Sequence, residues 1–297
     1  MQQSASSPSK LSLWIGLTRP KTLFSGLSSV LVAIFYAASL GAIDILRTLL
    51  LVVVAVAAQI ASNIANDLID HRKGADTDER KGPLRPLSRG LISEREVRLA
   101  LYLSLAVLLT SGLWLIALSS WWLLLVGLAV VLGVFAYSGG PYPLSYHGWG
   151  DAAVLVFFGW VPTVTSFYIL RGYVLDQTLW QLATAIGLSS VNILVVNNYR
   201  DVAEDSKAGK RTLIVRMGQD FAPRLYLTCG LLSMGLLYPI YSFWGMLLLL
   251  PYVLLFSQTH RALQTSRGAE LNGVLARTAR NVFLLALLIG AMLWLKP

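Results

Sequence analysis

A series of apolar blocks, each roughly 17–22 residues long, constrains this chain more than any other feature. An α-helix rises about 1.5 Å per residue, so a block of about 20 residues crosses the hydrocarbon core of a bilayer, which is about 30 Å thick. Charged residues make up only 13% of the 297 positions, and 56% are hydrophobic. A soluble domain of this size would need more polar surface. We therefore predict an all-α, polytopic membrane protein.

The blocks predict about nine transmembrane helices in one bundle. Residues 1–22 form a polar, cytoplasmic N-terminal segment, and 23–297 form a single transmembrane domain. Ser93 and Glu96 make an S-x-x-E capping box ahead of the third helix. The eighth helix has the weakest pattern because it is short and contains Pro251. The predicted spans are 23–43, 47–66, 97–118, 121–138, 152–170, 178–197, 224–242, 245–258 and 281–296.

Basic residues are distributed unequally between the two ends of these spans. Of the 24 lysines and arginines, 21 lie in or beside the N-terminal segment and the loops that follow even-numbered spans. Cytoplasmic loops are enriched in lysine and arginine, so we predict a cytoplasmic N-terminus and an external C-terminus. The net charge of +9 therefore favours anionic lipid or an anionic substrate over nucleic acid. The single cysteine, Cys229, excludes an intramolecular disulfide and a cysteine-based metal cluster.

Two acidic clusters follow spans two and six. Asn66, Asp67 and Asp70 end the second span, and Asp201 and Asp205 repeat the arrangement at the end of the sixth. In each cluster the helical spacing brings carboxylates onto one face. Polar stripes avoid lipid, so we expect them to face each other inside the bundle. A cation would relieve the repulsion between these carboxylates. Since the ligands are all oxygens, a hard cation such as Mg²⁺ is the natural occupant.

Basic residues are interleaved with both clusters. Acids that hold a metal next to bases that hold phosphate oxygens indicate a diphosphate-binding site. More distal charges, such as Asp78 and Glu79, are expected to be solvated loop residues or determinants of topology. The interleaved basic residues are Arg72, Lys73, Arg85 and Arg89 in the first loop and Arg200, Lys207, Lys210 and Arg211 in the second.

The stretches 66–70 and 201–205 resemble the two aspartate motifs of the UbiA-type intramembrane aromatic prenyltransferases. The resemblance extends over nearly the whole chain, including 19–22 and 85–93. Where the family pattern has a further aspartate four residues after Asp70, this chain has Gly74, and the nearby acid is Asp76. That shift, together with 197–201, 209–213 and the 137–151 loop, is similar to the branch that prenylates 1,4-dihydroxy-2-naphthoate in menaquinone synthesis.

The resemblance implies a nine-helix bundle in the bacterial inner membrane. Its central cavity would open sideways to membrane lipid and be capped by cytoplasmic loops. It implies Mg²⁺ as the cofactor, with a polyprenyl diphosphate and 1,4-dihydroxy-2-naphthoate as substrates, and loss of carbon dioxide from the ring. The implied metal ligands are Asn66, Asp67, Asp70, Asp201 and Asp205, of which the four aspartates are catalytic. Candidates for binding the diphosphate are Arg19, Arg72, Lys73, Arg200, Lys207 and Lys210, and candidates for binding the acceptor are Tyr137, Tyr142 and Asp151.

Several alternatives stay open at this point. The two tyrosines are equally typical of an aromatic belt at the membrane interface, and Asp151 is equally typical of a helix cap. The acceptor could instead be 4-hydroxybenzoate or homogentisate. Buried polar stripes also occur in secondary transporters, but a transporter places them near mid-membrane, whereas these lie at helix ends. The length of the prenyl chain depends on cavity depth, which the sequence does not give.

Overall fold

Helices joined by turns make up the described part of the chain, and no strand occurs in it. The computed structural model describes residues 9–74, 82 and 85–295. The all-α prediction is confirmed. Short 3₁₀ turns cover Leu144–Tyr146, Tyr238–Ile240 and Gly268–Glu270. The α-helices are α1 (Lys10–Thr18), α2 (Pro20–Ser39), α3 (Ile45–Arg72), α4 (Glu94–Leu118), α5 (Leu123–Ala136), α6 (Gly150–Leu155), α7 (Val161–Arg171), α8 (Gln177–Arg200), α9 (Val202–Lys207), α10 (Leu213–Met217), α11 (Phe221–Gly235), α12 (Phe243–Thr265) and α13 (Leu271–Trp294).

Six helical stretches of the described residues are long and apolar enough to cross a membrane. They are α3, α4, α8, α12, Gly150–Arg171 (α6, a π-helical turn and α7) and Gly268–Trp294, which contains α13. Two shorter apolar stretches, Gly26–Ser39 in α2 and Leu123–Ala136 (α5), accompany them. The polytopic membrane architecture is therefore confirmed, and the count of nine spans stays a prediction.

Several predicted boundaries are wrong in an informative way. The second span was expected to end at residue 66, but α3 continues to Arg72, so Asp67 and Asp70 lie in its last turns, in agreement with their helical spacing. Arginines neutralise these two carboxylates, so their charge does not end the helix. The eighth span is also longer than predicted. α12 passes through Pro251 for 23 residues, held by packing against α11 and α13.

Two further boundaries differ at the ends of spans seven and nine. α11 ends at Gly235, before the predicted end at 242, because the chain turns into the 3₁₀ segment at Tyr238–Ile240. α13 begins at Leu271, ten residues before the predicted start at 281. Arg277 and Arg280 made that stretch look like a loop, although long basic side chains are tolerated at a helix end. The predicted capping box is confirmed: Ser93 Oγ accepts from Glu96 N and Glu96 Oε2 accepts from Ser93 N.

α8 forms the centre of the bundle, and most of its apolar window is buried. It packs against α11, α13, α2 and the π-helical turn Val156–Trp160. The contact with that turn depends on two glycines, since a Cβ on Gly159 would lie 2.7 Å from Gly187 Cα, closer than real Cβ contacts allow. This close packing fixes the axis of α8, which ends at Arg200 beside the second acidic cluster.

Candidate active site

A cavity of about 920 Å³ runs through the bundle. One end, which we call the polar end, is lined by charged and amide side chains from α3, α8 and α9. The remainder, the apolar channel, is lined mainly by leucine, valine and alanine from α3, α4 and α5. Asp67 and Leu51 both line it, and they are separated by about 24 Å along α3 at 1.5 Å per residue. The cavity therefore joins a charged head site to a long apolar tube.

Arg85 bridges the two carboxylates of the first acidic cluster. Its Nη1 donates a hydrogen bond to Asp70 Oδ2 at 3.0 Å, and its Nε forms an ion pair with Asp67 Oδ1 at 3.1 Å. All three side chains are at least nine-tenths buried. The carboxylates are three residues apart on one helix face, so a single planar guanidinium reaches both.

Arg19 reaches the same cluster from the junction of α1 and α2. Its guanidinium donates to Asp67 Oδ1. Arg19 has φ of 51°, which makes it the one non-glycine residue with positive φ among those described. Pro20 follows at the first position of α2 and requires a sharp change of direction there. A left-handed non-glycine residue costs free energy and is common at functional sites, and here it turns Arg19 toward the cavity.

The second cluster is held by Arg200 and Lys210. Arg200 is 3% exposed and donates to both carboxylate oxygens of Asp201 at 2.7 and 2.6 Å, while its Nη1 donates to Asn272 Oδ1 at 2.9 Å. Lys210 Nζ lies 3.6 Å from Asp205 and 4.0 Å from Asp70. Lys210 therefore joins the two clusters, and the end of α3 faces the segment after α8 across the polar end.

Burial changes the acidity of the second cluster. It raises the pKa of Asp205 to about 6, and the neighbouring Asp201 and Asp70 also raise it, while the ammonium of Lys210 lowers it. The pKa of a carboxyl group is expected to rise when it is buried away from water and lies near other carboxylates. Additional positive charge at the polar end would favour the ionised form.

Oxygen atoms at the polar end fit a hard cation. Asn66 Oδ1, Asp70 Oδ1 and Glu204 Oε2 are buried and have no hydrogen-bond partner in the described part of the chain, and all three residues line the cavity. Carboxylate and amide oxygens are the ligands that Mg²⁺ prefers. Among the described residues, no three acidic, histidine or cysteine side chains converge on one point. A magnesium ion here would therefore take only some of its ligands from the protein, which is how Mg²⁺ binds with phosphates.

Comparison with known proteins identifies the fold and the family. The sequence profile of the UbiA prenyltransferase family matches residues 26–276. The chain belongs to this family. A 1,4-dihydroxy-2-naphthoate octaprenyltransferase from Escherichia coli is 36% identical over 293 residues, covering 94% of each chain. A protein of the same name from Mycobacterium tuberculosis is 38% identical over 213 residues, covering 72% of each.

Solved structures share the fold of this UbiA prenyltransferase. The apo structure of a UbiA homolog from Aeropyrum pernix K1 superimposes with a TM-score of 0.67 at 17% identity, covering 92% of this chain and 97% of that one. A UbiA homolog from Archaeoglobus fulgidus bound to GPP and Mg²⁺ gives a TM-score of 0.64 at 16% identity, covering 95% and 99%. The chain is thus a membrane prenyltransferase, as its sequence motifs predicted.

Some predicted site residues of this UbiA prenyltransferase lie away from the cavity. Arg72 binds Glu94 at the start of α4, with Nη2 at 2.5 Å from Oε1. Lys73 donates to Ser138 O at 2.6 Å, and neither it nor Lys207 lines the cavity. The acids Asp76, Asp78 and Glu79 lie outside the described residues. The remaining predicted metal and diphosphate residues all line the polar end: Asn66, Asp67, Asp70, Asp201, Asp205, Arg19, Arg200 and Lys210.

The three predicted acceptor residues occupy different positions. Tyr137 lines the cavity. Asp151 faces a small adjoining pocket of about 10 Å³, which Tyr137 and Asn198 also line. Tyr142 is 55% exposed and stacks on His147, with ring centres 3.7 Å apart, outside the cavity lining. The structure therefore brings Tyr137 and Asp151 together and leaves Tyr142 on the surface.

Three residues at the polar end were missed as site residues from the sequence alone. Arg85 is one of the interleaved basic residues and lies within the family resemblance, but the sequence does not show that it bridges two carboxylates. Glu204 lies within the stretch 201–205 but is not among the predicted ligands, although its Oε2 is buried in the cavity wall. Asn272 carries no sequence signal, because it lies 72 positions from its partner Arg200.

Proposed function

We propose that this UbiA prenyltransferase transfers a polyprenyl group from an allylic polyprenyl diphosphate to 1,4-dihydroxy-2-naphthoate. Carbon dioxide would be lost from the ring, giving the demethylmenaquinone precursor of menaquinone synthesis. The observation that carries the proposal is the cavity, in which a buried cluster of acids and bases adjoins an apolar channel, and which extends about 24 Å along α3 from Asp67 to Leu51. The activity for which the Escherichia coli and Mycobacterium tuberculosis relatives are named supports this acceptor.

The basic side chains at the polar end would receive the diphosphate. Arg19, Arg200 and Lys210 line the cavity and have guanidinium or ammonium protons that suit phosphate oxygens. Asn66, Asp67, Asp70, Asp201 and Asp205 would hold Mg²⁺, which when bound offsets the charge that develops on the departing diphosphate. Fixed cations that face the developing charge favour cleavage of the C–O bond to the allylic carbon.

The apolar channel would hold the prenyl tail. Its wall includes Leu109, Leu113 and Leu128 of α4 and α5, whose side chains are about half exposed. An opening between α4 and α5 would therefore let a lipid substrate enter from the membrane without transfer into water. Burial of a hydrocarbon tail contributes about 0.8 kcal/mol per CH₂ group only where it leaves water, so the channel mainly orients the substrate.

The aromatic acceptor would bind beside Tyr137 and Asp151. The face of Tyr137 stabilises positive charge on the allylic carbon, and Asp151 orients a ring hydroxyl. The electron-rich ring carbon that carries the carboxylate attacks the allylic carbon. A C–C bond forms as the bond to diphosphate breaks, and the electron pair of the ring–carboxylate bond restores the aromatic ring as carbon dioxide leaves.

The proposal is tested with purified protein in detergent or lipid. Radiolabelled polyprenyl diphosphate is supplied with 1,4-dihydroxy-2-naphthoate, 4-hydroxybenzoate or homogentisate, each with Mg²⁺ or with EDTA. We expect a prenylated product only from the naphthoate with Mg²⁺, and release of labelled carbon dioxide from a carboxyl-labelled acceptor in equal amount. Product from either of the other acceptors in preference to the naphthoate would disprove the assigned substrate, and turnover in EDTA would disprove the assigned cofactor.

Two variants connect the reaction to the site. Asp70→Asn and Asp201→Asn keep the size of the side chain and remove the charge that holds the metal. Each should abolish turnover while the protein remains folded, as judged by gel filtration in detergent. The matched control is Asp44→Asn, because Asp44 caps α3 at the end far from the polar end. Wild-type activity in both site variants would exclude the two-cluster site.

A further inference from the structure

Two lysines contact the same aromatic ring next to the polar end. Lys73 Nζ lies 4.6 Å from the centre of the Tyr146 ring, and Lys210 Nζ lies 5.3 Å from it. Both distances are within the range of a cation–π interaction, in which the negative face of the ring attracts the ammonium. Tyr146 thus holds two like charges near each other. One of them, Lys210, lines the cavity, and Tyr146 itself does not.

Backbone hydrogen bonds join Tyr146 to its own 3₁₀ turn and to the segment that carries Lys210. It ends the 3₁₀ turn Leu144–Tyr146, and its N–H donates to Pro143 O at 3.1 Å. Its carbonyl accepts from Arg211 N at 2.9 Å, next to Lys210. The ring hydroxyl has no hydrogen-bond partner among the described residues, so the contacts of this side chain are made through the ring face.

A ring differs from a carboxylate as a partner for Lys210. The carboxylates of Asp70 and Asp205 also lie within 4.0 Å of its ammonium. Carboxylates that held a metal would release this ammonium, which could then bind phosphate oxygens of the proposed diphosphate. A ring face attracts the cation without a full negative charge, so it repels a diphosphate less, and competes with it less for the ammonium, than a carboxylate does.

We infer that Tyr146 is a positioning residue for diphosphate binding: its ring holds Lys210 at the polar end in the orientation that receives the phosphate oxygens. This inference rests on the proposed function, since it names the group that Lys210 would bind. Tyr146 lies outside the cavity lining and would act through Lys210. Lys73 contacts the same ring and also donates to Ser138 O. The part of Tyr146 that matters is therefore the aromatic face and not the hydroxyl.

The test compares Tyr146→Phe with Tyr146→Leu. Phenylalanine keeps the ring face, whereas leucine keeps an apolar side chain and removes the ring charge distribution. We expect Y146L to raise the KM for polyprenyl diphosphate roughly 5- to 30-fold, with kcat and the acceptor KM changed by less than about threefold. Y146F should stay within about threefold of wild type in all three constants. Tyr102→Leu is the matched control, because Tyr102 is exposed on α4 and 63% of it is accessible.

A direct binding measurement separates this inference from the proposed reaction. Inorganic pyrophosphate with Mg²⁺ is titrated into each protein, and the rise in unfolding temperature is followed. Wild type and Y146F should respond at similar concentrations, and Y146L only at higher ones. If no acceptor is prenylated but this ranking holds, the proposed function fails and the role of Tyr146 stands. If wild type turns over and Y146F is as impaired as Y146L, or Y146L behaves as wild type, the inference is overturned.

A graded series covers the case in which Y146L does not fold. Phenylalanine analogues with increasing numbers of ring fluorines keep the shape of the side chain while they reduce the negative charge of its face. The KM for the diphosphate should rise stepwise with fluorine number if the ring holds Lys210. A KM that is constant across a folded series would also overturn the inference.

Discussion

Arg85 is the residue whose removal should disturb the polar end most. Its side chain is 9% exposed and lies between carboxylates that are 4% and 6% exposed. Arg85→Met keeps most of the length and volume and removes the charge. Leaving buried charges without their partner costs about 3–5 kcal/mol. Arg19 still contacts Asp67 and Lys210 still lies 4.0 Å from Asp70, so we expect a loss near the lower end, about 3 kcal/mol.

The measurement is the unfolding temperature in detergent with EDTA. For a chain of this size, about 3 kcal/mol corresponds to a decrease of roughly 5 °C. Arg85→Lys should give a smaller decrease, since an ammonium keeps the charge but lacks the planar fork that reaches both carboxylates. The matched control is Arg98→Met on α4. The Arg98 side chain is 45% exposed and 3.8 Å from Glu94, and surface pairs of this kind contribute about 0–1 kcal/mol.

Magnesium gives the same prediction a second readout. Without Arg85 the two buried carboxylates gain more from a divalent cation than they do in the wild type. Mg²⁺ should therefore raise the unfolding temperature of R85M by more than that of the wild type or of R98M. If R85M unfolds at the wild-type temperature in EDTA, the bridge does not stabilise the fold. An equal response of all three proteins to Mg²⁺ would mean that Asp67 and Asp70 do not hold the metal.

Three further predictions concern the other parts of the site. Asn272→Ala should lower kcat about tenfold and raise the Mg²⁺ concentration needed for half activity. The reason is that the hydrogen bond between Asn272 and charged Arg200 contributes about 1.5–3 kcal/mol and orients Asp201 through Arg200. An unchanged Mg²⁺ dependence would exclude this role. In a Cys229→Ala background, Ser88→Cys and Lys207→Cys should both react only with a thiol reagent added from the cytoplasmic side. The contact between Lys210 and Asp70 places the loops that carry Ser88 and Lys207 at the same end of the bundle. Labelling of either cysteine from outside would contradict the predicted topology. Asp151→Asn should raise the KM for the acceptor and leave the KM for the diphosphate within about twofold of wild type. The reverse result would mean that the acceptor and diphosphate sites are wrongly assigned.

The fold was predictable where the pattern was strong. The apolar blocks and the capping box at Ser93 follow from sequence because both depend on residues close together in the chain. The sequence did not predict the residues at which α3 and α12 end. Asp67 and Pro251 are local signals that end a helix, but contacts with distant residues outweigh them. A prediction from hydropathy does not include such contacts, so both predicted spans were shorter than the helices in the structure.

The candidate site shows the same division. Spacing placed the acidic clusters on helix faces, and Lys210 does join them across the polar end. Spacing could not rank the basic residues, because loop arginines that serve topology and those that line a cavity have similar sequence surroundings. Arg72 binds a surface glutamate, whereas Arg85, thirteen positions later, is buried between two aspartates. Contacts with residues distant in the sequence decide which role each takes.

The charge at the polar end explains why a substrate and a metal would have to enter together. Of the residues that the structure describes, five carboxylates line it, from Asp67, Asp70, Asp201, Glu204 and Asp205, and four cations line it, from Arg19, Arg85, Arg200 and Lys210. The site is thus almost neutral by itself, with each cluster already paired. A diphosphate alone would bring about three negative charges into a buried region, and a divalent cation alone would displace arginines from their carboxylates. Entry of both would allow an exchange of partners, in which the carboxylates would hold the metal and the arginines and Lys210 would bind the diphosphate.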